Sequence, residues 1–168
     1  HMTCLRKGLE AGAGRIVVFE DDVLFDRFDA GRFNRCTRFL SAHPDWRILL
    51  LGGLLRSSQK TTEPCVQKVR YQSLAHAYAL NRPYAETLAY TPWQGIVIDT
   101  VFRPLTDHIY AVCPMFAFQN DFTSDNDKKY KGLERFRRFF GGLEKIQKGK
   151  PSSVPVNSRA PVPSSYML

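Results

Sequence analysis

Apolar positions along the chain alternate between short continuous runs and stripes at helical spacing. Thr3 to Gly12 reads as a short helix ending near Gly12 or Gly14, where glycine supplies a C-terminal stop. Ile16-Val17-Val18-Phe19 is an unbroken β-branched and aromatic run, which predicts a strand buried on both faces and parallel to its neighbours. Within residues 31–42, Phe33, Cys36, Phe39 and Leu40 share one helical face, and His43-Pro44-Asp45 ends it. Ile48 to Leu51 is a second buried strand, closed by Gly52-Gly53, and the polar residues 56–68 read as a loop. Leu74 to Leu80 is a strand, after which Asn81-Arg82-Pro83 opens a helix running to about Tyr90. Gly95 to Ile98 reads as a short strand ending at Asp99, and Ile109 to Cys113 as another, broken by Pro114. A polar loop over 120–127 precedes a helical stripe of Leu133, Phe136, Phe139, Phe140, Leu143 and Ile146, weakened at its centre by Gly141-Gly142.

Short apolar strands alternating with amphipathic helices predict an α/β domain, with a mostly parallel sheet flanked by helices. Residues 3–150 would form it. His1-Met2 reads as an expression-tag remnant, and the Pro/Ser-rich residues 151–168 as an extended tail. Sheets of this kind bind ligands at the carboxyl ends of their strands, which is where Glu20-Asp21-Asp22 and Asp99 are expected.

With 168 residues, 43% of them hydrophobic and 24% charged, the chain is long enough to bury a core without staples. Its net charge of +8 is concentrated: residues 128–150 hold nine lysines and arginines against Glu134 and Glu144. The basic pI therefore describes one C-terminal element, which suits contact with an anionic membrane surface or an ordinary amphipathic helix docked on the sheet. A nucleic-acid patch is disfavoured, because the aromatic residues follow core periodicity and not the spacing of a base-stacking platform. Cys4, Cys36, Cys65 and Cys113 form no CxxC pair and no zinc spacing, and read as buried reduced thiols of a cytoplasmic protein. There is no Walker loop, no GxGxxG and no Ser-His-Asp order.

The acidic turn carries the candidate chemistry. Three carboxylates directly after a greasy strand repel one another and resist burial. They sit either in a solvated loop or around a cation. Mg²⁺ and Mn²⁺ prefer oxygen ligands and take one or two carboxylates, leaving other positions to water and phosphates. Glu20 and Asp22, two apart in an extended segment, would point the same way as metal ligands, and Asp21 the other way, toward a ribose or a backbone group.

Arg15 to Phe25 (Arg-Ile-Val-Val-Phe-Glu-Asp-Asp-Val-Leu-Phe) resembles the signature of glycosyltransferase family twenty-five, which includes lipopolysaccharide galactosyltransferases and collagen galactosyltransferases. Trp46 to Gly53 resembles its Trp-Asp…Leu-Gly strand, His76-Ala77-Tyr78 its Thr/His-Ala-Tyr strand, and Asp99 the Asp of its Val-Asp segment. Tyr110 to Pro114, Gln119 and Ser124-Asp125 resemble its ending, so the matches span residues 3–127 in the family's order. The resemblance implies a GT-A fold, a UDP-hexose donor, Mn²⁺ (or Mg²⁺) and inverting transfer to a glycan or lipid-linked acceptor. It also implies a cytoplasmic setting, peripheral at the inner membrane surface. The family's upstream region, with its first strand and much of its nucleotide-binding surface, has no match here, so the implied domain is truncated at its N-terminus and would complete itself with a partner chain or as a homo-oligomer.

An inverting transfer needs a carboxylate to take the acceptor's proton, and Asp99 is the candidate; its alternative is a helix cap. His76 would contact the donor phosphate or be a hydrogen-bonded core residue. Gln119, Ser124 and Asp125 would touch the acceptor, or be a loop residue and caps. Trp46 and Trp93 would stack on a sugar or fill the core. The expected function is thus a metal-dependent hexosyl transferase. The alternatives are a non-catalytic, transferase-like binding module and a basic membrane-surface adaptor.

Overall fold

The computed structural model describes residues 1–92 and 94–119. The chain opens with helix α1 (Met2–Glu10), and Gly12 follows at a φ of 77°, the left-handed conformation that lets the backbone turn away without a Cβ clash. Strand β1 (Arg15–Phe19) leads through the acidic turn into the short β2 (Val23–Phe25). Helix α2 (Ala30–Ala42) starts where Asp29 accepts a hydrogen bond from the Arg32 amide at 2.7 Å. Strands β3 (Ile48–Lys60) and β4 (Val66–Asn81) form a long hairpin. Asn81 then caps helix α3 (Arg82–Tyr90), its side-chain oxygen accepting from the Tyr84 amide at 2.9 Å and its amide group donating to the Trp46 carbonyl. A single-turn helix α4 (Ile98–Phe102) and strands β5 (Ile109–Val112) and β6 (Ala117–Gln119) complete the described chain.

The main sheet is mixed, with strand order β1-β4-β3-β5, and helices cover it. Alternate residues of β3 face opposite ways, as pleating requires. Ile48 and Leu50 join Leu5, Leu9, Leu80, Leu88 and Phe102 in one core beneath α1, α3 and α4. Leu49 and Leu51 join Cys36, Phe39, Leu40 and Trp46 in a second core beneath α2. Trp46 is therefore a core residue, 3% exposed. Among the described residues, no helix is long and apolar enough to cross a membrane.

The expected parallel sheet is not what forms. β1 and β3 each run antiparallel to β4, and β3 with β5 is the parallel pair. The polar residues 56–68 are not simply a loop but the turn end of a hairpin, made of the end of β3, the turn and the start of β4, with Arg56, Ser57, Gln59 and Lys60 exposed. Thr61 fastens its turn by donating to the carbonyls of Glu63 and Val66 at 3.0 and 2.8 Å. Gly52-Gly53 does not close β3; the strand passes through it with register shifts on either side. β1 is an edge strand, with Ile16 and Val18 inward and Val17 and Phe19 41% and 47% exposed, so it is not buried on both faces. Gly95 to Val97 is not a strand: Val97 is 65% exposed, and Ile98 and Phe102 enter the core at helical spacing from α4.

Candidate functional site

The site begins where β1 runs out. The Glu20 amide still donates to the His76 carbonyl at 2.9 Å, which holds the first acidic residue against β4. The chain then turns, with the Val23 amide donating to the Glu20 carbonyl at 3.3 Å, and enters β2. β2 pairs antiparallel with β6 in a separate small sheet, with Val23 opposite Gln119 and Phe25 opposite Ala117. That register brings the Gln119 side chain to the turn, where its Nε2 donates to Asp22 Oδ2 at 3.0 Å. Asp22 Oδ1 is buried and has no hydrogen-bond partner among the described residues.

His76 joins the two sheets. It is fully buried on β4, and its Nε2 donates to the Ala117 carbonyl of β6 at 3.1 Å. Gly52 permits this approach, since a Cβ there would overlap both the Ala117 carbonyl and the imidazole. Of the two readings of His76, the geometry is that of a hydrogen-bonded core residue lying behind the acidic turn.

Asp99 stands in the first turn of α4, at its N-terminal end. Its carboxylate accepts from the Tyr71 hydroxyl and from the amides of Leu74 and Ala75, the latter two at 3.1 and 3.2 Å. Leu74 has a φ of 69°, a left-handed conformation that costs a leucine energy, and Asp99 stabilises the backbone around it. The Tyr71 and Tyr78 hydroxyls have pKa values pushed well up, chiefly by burial and then by negative neighbours, so both stay protonated. His1 lies against Tyr78, with Nδ1 2.8 Å from its hydroxyl and Nε2 3.4 Å from Glu20 Oε1.

The electrostatics of the turn are those of crowded anions. Burial is the main cause that raises the Glu20 pKa; the charges of Asp99 and Asp21 raise it further, while His76 opposes them. Asp22 is raised by burial and then by Glu20, against the hydrogen bond from Gln119. Two half-buried carboxylates that repel each other match the donor set that Mg²⁺ or Mn²⁺ takes from a protein, with water and phosphate oxygens completing the shell. Among the described residues, no group of three or more His, Cys, Asp or Glu side chains is placed to hold a metal ion. Asp21 is exposed on the turn.

Glu20, Asp22, His76 and Gln119 thus meet at one place, and Asp99 is near enough to raise the Glu20 pKa. Ser124, Asp125 and Trp93, the basic segment 128–150 and the tail 151–168 lie outside the described residues. Sequence reasoning passed over Tyr71, whose hydroxyl fixes Asp99, and Gly52, whose missing side chain admits His76. The register shift that brings Tyr71 there has no local signal in sequence, whereas the Gly-Gly pair after an apolar run was a visible sign of close backbone approach. Fold and site together define a mixed α/β domain with an acidic turn at the seam of its two sheets. The chain matches no protein-family model and no curated protein.

Proposed function

We propose that this domain is part of a metal-dependent glycosyltransferase of the GT-A type that moves a hexose, galactose among the candidates, from a UDP-sugar to a glycan or lipid-linked acceptor. The observation that carries the proposal is the Asp22 carboxylate: one oxygen is oriented by Gln119, and the other is buried, without a hydrogen-bond partner among the described residues, near a second carboxylate, Glu20. Such an arrangement is unfavourable by itself and becomes favourable when a cation shares it. The resemblance of residues 15–25 and the segments after them to glycosyltransferase family twenty-five gives the cation a purpose. A bound Mn²⁺ would supply Lewis-acid stabilisation of charge on a departing diphosphate.

The roles of the chain's own residues follow. Glu20 and Asp22 provide oxygen ligands, Gln119 fixes the plane of Asp22, and His76 sets the turn against β4. Asp21, exposed beside them, is left to meet the donor's ribose. Asp99 would accept the acceptor hydroxyl's proton, for which it must exchange at least one of its present donors for that hydroxyl. A cytoplasmic location and an inner-membrane-surface setting go with this proposal.

The test is Mn²⁺ binding by electron paramagnetic resonance in the presence of UDP, comparing the parent chain with Asp22→Asn. Binding that needs UDP and weakens at least tenfold in the variant supports the reading. Mn²⁺ affinity that is absent, or indifferent to the substitution, overturns it. One observation favours a second reading, a transferase-like binding module without activity: the Asp99 carboxylate is already satisfied by Tyr71, Leu74 and Ala75. In that case the fold is stable, Mn²⁺ is not bound, and no UDP-sugar is turned over.

A further inference from the structure

Away from the acidic turn, Cys36 of α2 and Cys65, at the foot of β4, face each other inside the second core. Their sulfurs are 3.6 Å apart, and the residues are 0% and 6% exposed. They come from elements 29 residues apart in the chain, so the proximity is a product of the fold. The surroundings differ on the two sides. Cys36 is closed in by apolar residues of the core beneath α2, and burial pushes its thiol up to about 12. Cys65 has a polar outlet: its Sγ donates to Glu63 Oε1 at 3.1 Å, and Glu63 in turn lies 3.6 Å from the Arg35 guanidinium, with both side chains partly open to solvent.

We propose that Cys36 and Cys65 are a thiol pair built to close into a disulfide, pinning α2 to the β3–β4 turn, when the protein meets a hydroperoxide. Burial and then the hydrogen bond to Glu63 raise the Cys65 thiol above its ordinary value, so the attack comes from the small thiolate fraction: the Cys65 proton passes to solvent, and the thiolate attacks one peroxide oxygen. The O–O bond breaks, hydroxide leaves and is protonated to water, and Cys65 becomes a sulfenic acid. The Cys36 sulfur then attacks the Cys65 sulfur; the S–O bond breaks, and the Cys36 proton leaves with the oxygen as a second water. Two thiols are oxidised by two electrons in all, and one peroxide is reduced to two waters. The sulfurs must close from 3.6 Å to about 2.05 Å, a movement within reach of side-chain rotation and a small shift of α2. Cys4, which is exposed, and Cys113, which meets the Gln67 side chain at 3.4 Å, take no part. This inference is independent of the proposed transferase activity.

The experiment treats the whole chain with one equivalent of hydrogen peroxide, blocks remaining thiols with N-ethylmaleimide after unfolding, and maps peptides by mass spectrometry without reductant. The expected product is lighter by about 2 Da before alkylation, carries maleimide on Cys4 and Cys113, and yields a Cys36–Cys65 linked peptide. Its melting temperature rises by about 5 °C or more, an increase reversed by dithiothreitol. Glu63→Gln, which removes a charge that raises the Cys65 thiol, should speed the cross-link severalfold while leaving the same connectivity. A bridge to Cys4 or Cys113, or Cys36 and Cys65 that remain alkylatable after oxidation, overturns the proposal. The parent chain supplies both outcomes, so the result does not depend on whether a cysteine variant folds.

Discussion

Gln119 and Asp22 are 97 residues apart in the chain, yet the Gln119 amide nitrogen rests 3.0 Å from Asp22 Oδ2. The pairing of β2 with β6 places Gln119 opposite Val23, so a backbone ladder sets the position of an acidic side chain. The glutamine favours the charged form of Asp22, against burial and the nearby Glu20. Gln119→Leu is therefore expected to raise the Asp22 pKa and, if the turn holds a cation, to weaken Mn²⁺ binding by about tenfold, a loss of roughly 1.4 kcal/mol. Carbon-detected NMR titration of the carboxylate checks the first expectation and paramagnetic titration the second.

Glu20 and Asp22 both titrate above their ordinary values of 4.5 and 3.8 in the folded chain. Raised carboxyl groups contribute stability that is fully present below those ordinary values and is lost as pH rises through the folded ones. Near neutral pH, without metal, both are a net cost. Glu20→Gln or Asp22→Asn should then raise the melting temperature by about 2 °C at pH 7.5. That advantage should shrink toward zero as pH falls to the ordinary carboxyl range. Calorimetric melting across pH measures it; a variant uniformly less stable at every pH would contradict the assignment.

The site was legible in sequence where its signal was charge, and illegible where its signal was register. Three acids after Ile16 to Phe19 announced themselves. The glycine stop after α1, the stripe of α2 and the Asn81 start of α3 were equally plain, because helix faces and ends are local. The antiparallel β3–β4 hairpin was hidden because Arg56 to Lys60 is polar and mostly exposed along the end of β3, so no hydrophobic period marks it. β1 misled in the opposite sense: Val17 and Phe19 are apolar yet exposed at the sheet edge, and an apolar run alone does not say how many faces are covered. Ile96-Val97-Ile98 looked like a strand because a short apolar run carries no periodicity to separate strand from helix.

Gly52 tests the seam between the sheets. Gly52→Ala would drive a methyl into the Ala117 carbonyl and His76. Overpacking against backbone is expected to cost about 2–3 kcal/mol, lowering the melting temperature by roughly 5–10 °C. Chemical denaturation with an unchanged slope would show that stability alone had moved.

Tyr71 separates the two roles open to Asp99. Tyr71→Phe removes one donor from its carboxylate and should cost about 1–2 kcal/mol of stability. If Asp99 is the base, Asp99→Asn abolishes turnover of a UDP-sugar while Mn²⁺ and UDP binding survive, and Tyr71→Phe retains turnover. If Asp99 only secures the Leu74 backbone, both substitutions act through stability, read as a matched loss in denaturation midpoint.

His76 anchors Glu20 through its carbonyl and β6 through its ring, while Gln119, two residues beyond Ala117, reaches back to Asp22. The five residues form a closed circuit, so the gap between the two carboxylates is governed from both ends at once. If the turn holds a cation as proposed, such a preset pair of carboxylates would shed little motional freedom on binding, and most of the attraction would survive as affinity. The circuit's amides, Glu20 and Val23 foremost, should be among the slowest in the molecule to trade hydrogen for deuterium, even with nothing in its grasp.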